Sequence, residues 1–185
     1  MLHFFEEKDG SLIFRENGET VMVTPWGANS FRVRAAFLGE IEEGSIALLD
    51  PQSAGANGQT AEGKSAGAAE QSSAGAAEQD VRLEIHELDA SITNGKIQAH
   101  LTVNTWGNAL QITFRNQKGE VLLQEIPNGG ALQKKARHFK PLPGGGYRLK
   151  ASFVSNPEEK IYGMGQYQQE TFDLKGCNLE LAHRN

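Results

Sequence analysis

Lys96–Glu125 reads KIQAHLTVNTWGNALQITFRNQKGEVLLQE, and this stretch decides the fold class. Ile97, Ala99, Leu101 and Val103 alternate with Gln98, His100 and Thr102, and Leu110, Ile112 and Phe114 repeat the pattern. A period of two puts one face of each segment on a core and the other in water, as half-buried strands require. Asn108 separates the first two runs, and Asn116-Gln117-Lys118-Gly119 is a turn into Val121-Leu122-Leu123. Immediately upstream, Val81, Leu83 and Ile85 alternate with Arg82, Glu84 and His86, and Asn94-Gly95 marks another turn. Nearer the start, Leu12-Ile13-Phe14 precedes the turn-like Glu16-Asn17-Gly18-Glu19, followed by Val21-Met22-Val23 and Phe31-Arg32-Val33-Arg34. Downstream, Asn128-Gly129-Gly130 and Gly144-Gly145-Gly146 read as turns. Tyr147, Leu149, Ala151 and Phe153 continue the strand pattern, and Leu179 and Leu181 close it. No long segment has helical periodicity. Many short strands with close-set turns predict an all-β fold, an antiparallel β-sandwich.

One stretch breaks the pattern. Residues 52–79 contain no Val, Ile, Leu, Met, Phe, Trp or Tyr, and an eight-residue unit recurs as SAGAAEQS over 65–72 and SAGAAEQD over 73–80. With almost nothing to bury, such a segment does not offset the entropy of ordering its backbone. It reads as a flexible insert in a loop between two strands. The alternative, a short Ala/Glu/Gln helix, is interrupted by Gly55, Gly58, Gly63, Gly67 and Gly75. Lengthening a loop costs only logarithmically in closure entropy, so the sandwich tolerates it.

The chain has 185 residues, 38% hydrophobic and 22% charged, with a mean hydropathy of -0.46. At roughly 150 residues per domain, one domain over residues 1–185 with the insert at 52–79 is the expectation. No apolar run nears the roughly 18 residues that span a bilayer, so no membrane partner is expected. Met1–Gly10, MLHFFEEKDG, has no apolar core of a secretory signal. The single Cys177 makes no internal disulfide, and a cytoplasmic location is the simplest reading. The net charge of -5 argues against nucleic acid as a general partner, without excluding a local basic patch.

The chemistry offered is sparse. Gly144-Gly145-Gly146 lacks the strand–loop–helix context of a phosphate cradle and reads as a hairpin turn. His3, His86, His100, His138 and His183 are scattered, so no metal or cofactor is expected, and His86 and His100 fall on the solvent phase of their strands. Cys177, with no Cys or His close by, reads as a buried or simply unreactive thiol. Asp89, Glu120, Glu125, Asp173 and Glu180 are candidate acids, but nothing in the sequence pairs them as glycoside cleavage demands. Trp26 and Trp106 each precede a glycine; such a residue either stacks on a sugar face or seals the end of a core.

Several segments carry a resemblance. VTPWGANSFRVR over 23–34 resembles an early strand pair of family 31 of the glycoside hydrolases, with Phe31 where Leu is common. EKIYGMGQYQ over 159–168, with Asp173-Leu174-Lys175-Gly176 and Leu179–Asn185, is similar to the family's Glu-Lys-x-Tyr-Gly-x-Gly motif and the strand after it. Lys96–Glu125 keeps the family's order between them, and Gln166-Tyr167-Gln168 leans toward its α-xylosidases. The resemblance covers nearly all of the chain outside the insert. It implies a galactose mutarotase-like N-terminal β-sandwich of an α-glucosidase or α-xylosidase, whose partner in the full-length chain is its own (β/α)8 barrel. That barrel carries both catalytic carboxylates, so no catalytic residue is assigned here. It also implies that the turn Tyr162–Gln166 shapes the mouth that receives the carbohydrate substrate. Gln166, Arg184 and Asn185 are then the candidate substrate-binding residues. A free-standing carbohydrate-binding sandwich, using Trp26, Trp106, Tyr162 and Tyr167, is the alternative.

Overall fold

The computed structural model describes residues 3–41, 81–105, 108–127, 134–163 and 171–178. Among these residues there are eleven strands and no helix. They are β1 (Phe5–Lys8), β2 (Ser11–Glu16), β3 (Glu19–Pro25), β4 (Phe31–Phe37), β5 (Val81–Ile85), β6 (Asp89–Asn94), β7 (Ile97–Asn104), β8 (Ala109–Asn116), β9 (Val121–Gln124), β10 (Arg137–Pro141) and β11 (Tyr147–Ala151). They form a four-stranded sheet β1-β2-β3-β4, a five-stranded sheet β5-β6-β7-β8-β9 and the hairpin β10-β11, with every pairing antiparallel. The insert at 52–79 lies outside the described residues.

Turn chemistry sets the register. Asn17 and Gly18, at φ 52 and 79, form the two-residue loop between Glu16 and Glu19, and two positive φ values match the twist of flanking strands. Gly95, at φ 58, opens the loop between Asn94 and Ile97. Gly144, Gly145 and Gly146, at φ 89, 103 and 80, close the β10–β11 hairpin, where Leu142 N–H donates to the Gly146 carbonyl at 3.1 Å.

The two larger sheets face each other. Phe5, Leu12, Phe14, Val21 and Val23 from one share a buried cluster with Ala90, Ile92, Ala99, Leu101, Val103, Leu110 and Ile112 from the other. Each large apolar side chain buried there contributes roughly 1.5–3 kcal/mol. The alternation of β7 is reproduced residue by residue: Ala99, Leu101 and Val103 are buried and Gln98, His100 and Thr102 are half-exposed. β2 departs from it. Ile13, on the opposite face from Leu12 and Phe14, is also fully buried, in one cross-strand row with Glu6, Met22 and Arg34. A continuous apolar run is what a strand covered on both faces needs.

Three strands were not legible as such: β6, DASITN, buries Ala90, Ser91 and Ile92 in succession and shows no two-residue period. In β1, FEEK, only Phe5 is buried, and in β10, RHFKP, only Arg137 is, so neither shows a hydrophobic alternation. Conversely, Lys160-Ile161-Tyr162 reads as strand-like but forms none. Its polar groups are taken locally: Ile161 N–H donates to Asp173 Oδ1 at 3.1 Å, and the Ile161 carbonyl accepts from Leu174 N–H at 2.8 Å. The chain divides into two compact units, Met1–Phe153 and Val154–Asn185. The first holds all eleven strands found among the described residues.

Candidate functional site

Gln166, Arg184 and Asn185, the residues marked for sugar contact, lie outside the described residues, as do Trp106, Tyr167 and Glu180. What is described is the framework on which their segments hang, and the fate of the remaining candidates.

The main electrostatic feature is one that sequence reading missed. Arg137, at the start of β10, is 7% exposed. Its Nη1 donates to Glu125 Oε1, its Nε to Glu19 Oε1 at 2.6 Å and its Nη2 to the Leu110 carbonyl at 3.2 Å. Burial lowers the guanidinium's pKa, but the two carboxylates outweigh it and hold the pKa above its ordinary value. Glu125 is itself locked: Oε2 accepts Ile112 N–H at 2.8 Å, and the Glu125 carbonyl accepts Gln111 Nε2 at 2.7 Å. One guanidinium therefore ties β3, β8, the end of β9 and β10 together. Glu125, a candidate acid in the sequence, is a structural anchor here.

The other described acids are committed as well. Glu120 accepts from Asn116 Nδ2 at 2.6 Å, and Asp89 lies 3.5 Å from His100 Nε2. Asp173 accepts Ile161 N–H and Lys175 N–H, each at 3.1 Å, and Lys160 Nζ lies 3.2 Å away. The Ile161 bond first, then Lys175 and the Lys160 charge, hold its carboxyl below the ordinary value. Asp173 thus pins the loop that carries Tyr162. Tyr162 packs on Phe172 with ring centroids 4.9 Å apart, and Phe172 is 84% exposed. Gly163, at φ 100, has the left-handed backbone that its motif suggests; Gly165 lies outside the described residues.

Trp26 is half-buried at the β3–β4 turn, with the Arg32 guanidinium 4.8 Å from the ring centroid. Its N–H donates to the Ser30 carbonyl at 3.0 Å, and the buried Asn94 holds the turn by donating to the Gly27 and Ser30 carbonyls, each at 2.8 Å. The covered ring fits edge packing better than sugar stacking. Cys177 is exposed, which removes burial and leaves the other alternative, an unreactive thiol; between Gly176 and Asn178 it has no apolar pattern to draw it inward. His86 is exposed and His100 half-exposed, as their strand phase requires.

No family model matches the chain. A family 31 glucosidase of Pseudescherichia vulneris, described as uncharacterised, is 34% identical over 196 residues, covering 97% of this chain. The crystal structure of a family 31 α-xylosidase from a soil metagenome, complexed with xylose, superposes with a TM-score of 0.71 at 34% identity over 98% of this chain. The chain's homologues are family 31 glycoside hydrolases. The chain spans 31% of the length of the first relative and 25% of the second. Sequence and fold both align over almost all of this chain, and its share of each relative is consistent with the N-terminal β-sandwich that the motifs implied.

Proposed function

We propose that the chain is the non-catalytic N-terminal β-sandwich of a retaining α-glycosidase acting on α-glucosides or α-xylosides. The observation that carries this is the near-complete alignment of this chain with less than a third of each relative. The nucleophilic carboxylate and its carboxylic acid partner belong to a (β/α)8 barrel elsewhere in the full-length protein. The sandwich covers one side of that barrel, and the turn Tyr162–Gln166, with Arg184 and Asn185, helps to shape the substrate mouth. A galactose mutarotase-like topology and a cytoplasmic location belong to the same reading. The test is the gene itself. A reading frame that runs on past codon 185 into alternating strand and helix patterns with two catalytic Asp residues supports the proposal; a stop codon there refutes it.

A second reading, a stand-alone carbohydrate-binding module, draws on the exposed Tyr162–Phe172 pair, whose apolar rings suit a sugar face. Millimolar-range binding of xylose or maltose to the isolated chain, lost in Phe172→Ala, would favour it over the first.

A further inference from the structure

The β10–β11 hairpin has a charge pattern that its own fold does not account for. From Ile126 to Pro157 there is no Asp or Glu, while Lys134, Lys135, Arg137, Lys140, Arg148 and Lys150 all fall there, in a chain of net charge -5. The register sets Lys140 opposite Arg148 and His138 opposite Lys150. Directly paired residues project from the same face, so Lys140, Arg148 and Lys150 share one side of the ribbon, and the directly opposed cations Lys140 and Arg148 destabilise the hairpin. These three and His138 are exposed. Arg137 alone points to the other side and finds acids. Among the described residues no ion pair reaches Lys140, Arg148 or Lys150.

The opposite side is unsatisfied in another way. Phe139 and Tyr147 pack on Phe37, with centroids 5.4 and 5.5 Å away. Beyond them Leu149 stays 55% exposed and Phe153 46%. Phe153 bridges to Glu125 and is the last residue of the first unit, so the chain leaves that unit at this surface.

We infer that the β10–β11 hairpin is a docking element for the rest of the full-length chain. Its cationic face meets an acidic surface there, and Leu149 and Phe153 meet an apolar one. The inference rests on the reading that this chain is part of a larger enzyme, and the matched relatives have the necessary length, since this chain spans only 31% and 25% of them. A nucleic acid would satisfy the cations and leave the apolar face bare. A second copy of this acidic chain would have to place its acids on the ribbon, which a concentration-dependent mass would reveal.

The experiment compares amide hydrogen exchange over residues 137–153 in the full-length protein and in the chain 1–185. Both are measured as wild type and as the triple variant Lys140→Gln, Arg148→Gln, Lys150→Gln. Exchange at least tenfold slower in the full-length wild type is expected, with that protection reduced in the variant and by raising salt from about 0.05 to 0.5 M. The variant's Tm in the isolated chain should hold or rise by a degree or two, because repulsion is removed. Equal exchange in the two wild-type proteins overturns the inference. So does a variant that lowers Tm equally in both, or a hairpin protected instead by self-association or by added DNA. A gene ending at Asn185 removes the larger-enzyme reading with it, whereas a longer protein with an unprotected hairpin removes the docking alone.

Discussion

Replacing Arg137 with Met should be among the most damaging single changes available to this sandwich. The substitution keeps the length and apolar stem of the side chain but leaves two carboxylates facing each other's charge, Glu125 with a side chain 6% exposed and Glu19 with one 13% exposed. Breaking a buried pair from one side typically costs about 3–5 kcal/mol, since the remaining charge is stranded in a poorly solvated place. The Leu110 carbonyl also loses its Nη2 donor. Against a total stability of about 5–15 kcal/mol, that is a large fraction. Glu125→Gln should cost less, about 1–3 kcal/mol: Arg137 and Glu19 still neutralise each other and the amide oxygen still accepts Ile112 N–H, but the amide NH2 turns a donor toward Arg137 Nη1 and that hydrogen bond is lost. Urea unfolding followed by intrinsic fluorescence reads both, with a midpoint drop of about 2 M for Arg137→Met. A loss under about 1 kcal/mol for Arg137→Met, or an equal loss for Glu125→Gln, would refute the view that one guanidinium clamps two buried acids.

Gly95→Ala and Gly119→Ala form a matched pair. Both sit at positive φ, 58 and 79, but a Cβ on Gly95 would lie 2.5 Å from Asn29 Oδ1 whereas Gly119 faces open space. Urea titration should show about 1 kcal/mol lost at Gly119 and clearly more at Gly95, where Asn29 must release Lys96 N–H. Asn94→Ala should cost about 2–4 kcal/mol by stripping two carbonyls of their donor, and should shift tryptophan emission by loosening the turn around Trp26. For Asp173 the folded pKa is depressed, so the unfolded form binds more protons between the two values and stability rises with pH there. The contribution is complete above about pH 4 and fades as pH falls through the folded value. The protection factors of the Ile161 and Lys175 amides, exchange rates divided into their intrinsic values at each pH, should therefore fall in acid, and Asp173→Asn should flatten that dependence.

The sandwich was legible because the sequences of β5, β7 and β8 alternate apolar and polar residues and because Asn17-Gly18, Asn94-Gly95 and the glycine triplet at 144–146 announce their turns. β1, β6 and β10 were not, since β1 and β10 each bury a single side chain and β6 buries Ala90, Ser91 and Ile92 in succession without alternation. The Arg137 cluster left no local mark: Glu19 is 118 positions away in the chain, and only the fold brings the two together. Lys160-Ile161-Tyr162 misled because two apolar residues look like a strand until Asp173 takes up the backbone N–H. For the sugar-contact residues, family motifs were the whole signal. Single polar residues near a chain end, such as Arg184 and Asn185, have no periodicity to distinguish them from solvent-facing neighbours.

Hydrolysis of an aryl α-glucoside and an aryl α-xyloside by the full-length protein, set beside the chain 1–185 alone, tests the central claim most directly. The account predicts turnover of at least one substrate by the full-length protein, with retention of anomeric configuration, and none above the uncatalysed rate by residues 1–185. Turnover by the isolated chain that disappears when one of its own acids is replaced would contradict it, and so would a full-length protein that cleaves neither substrate.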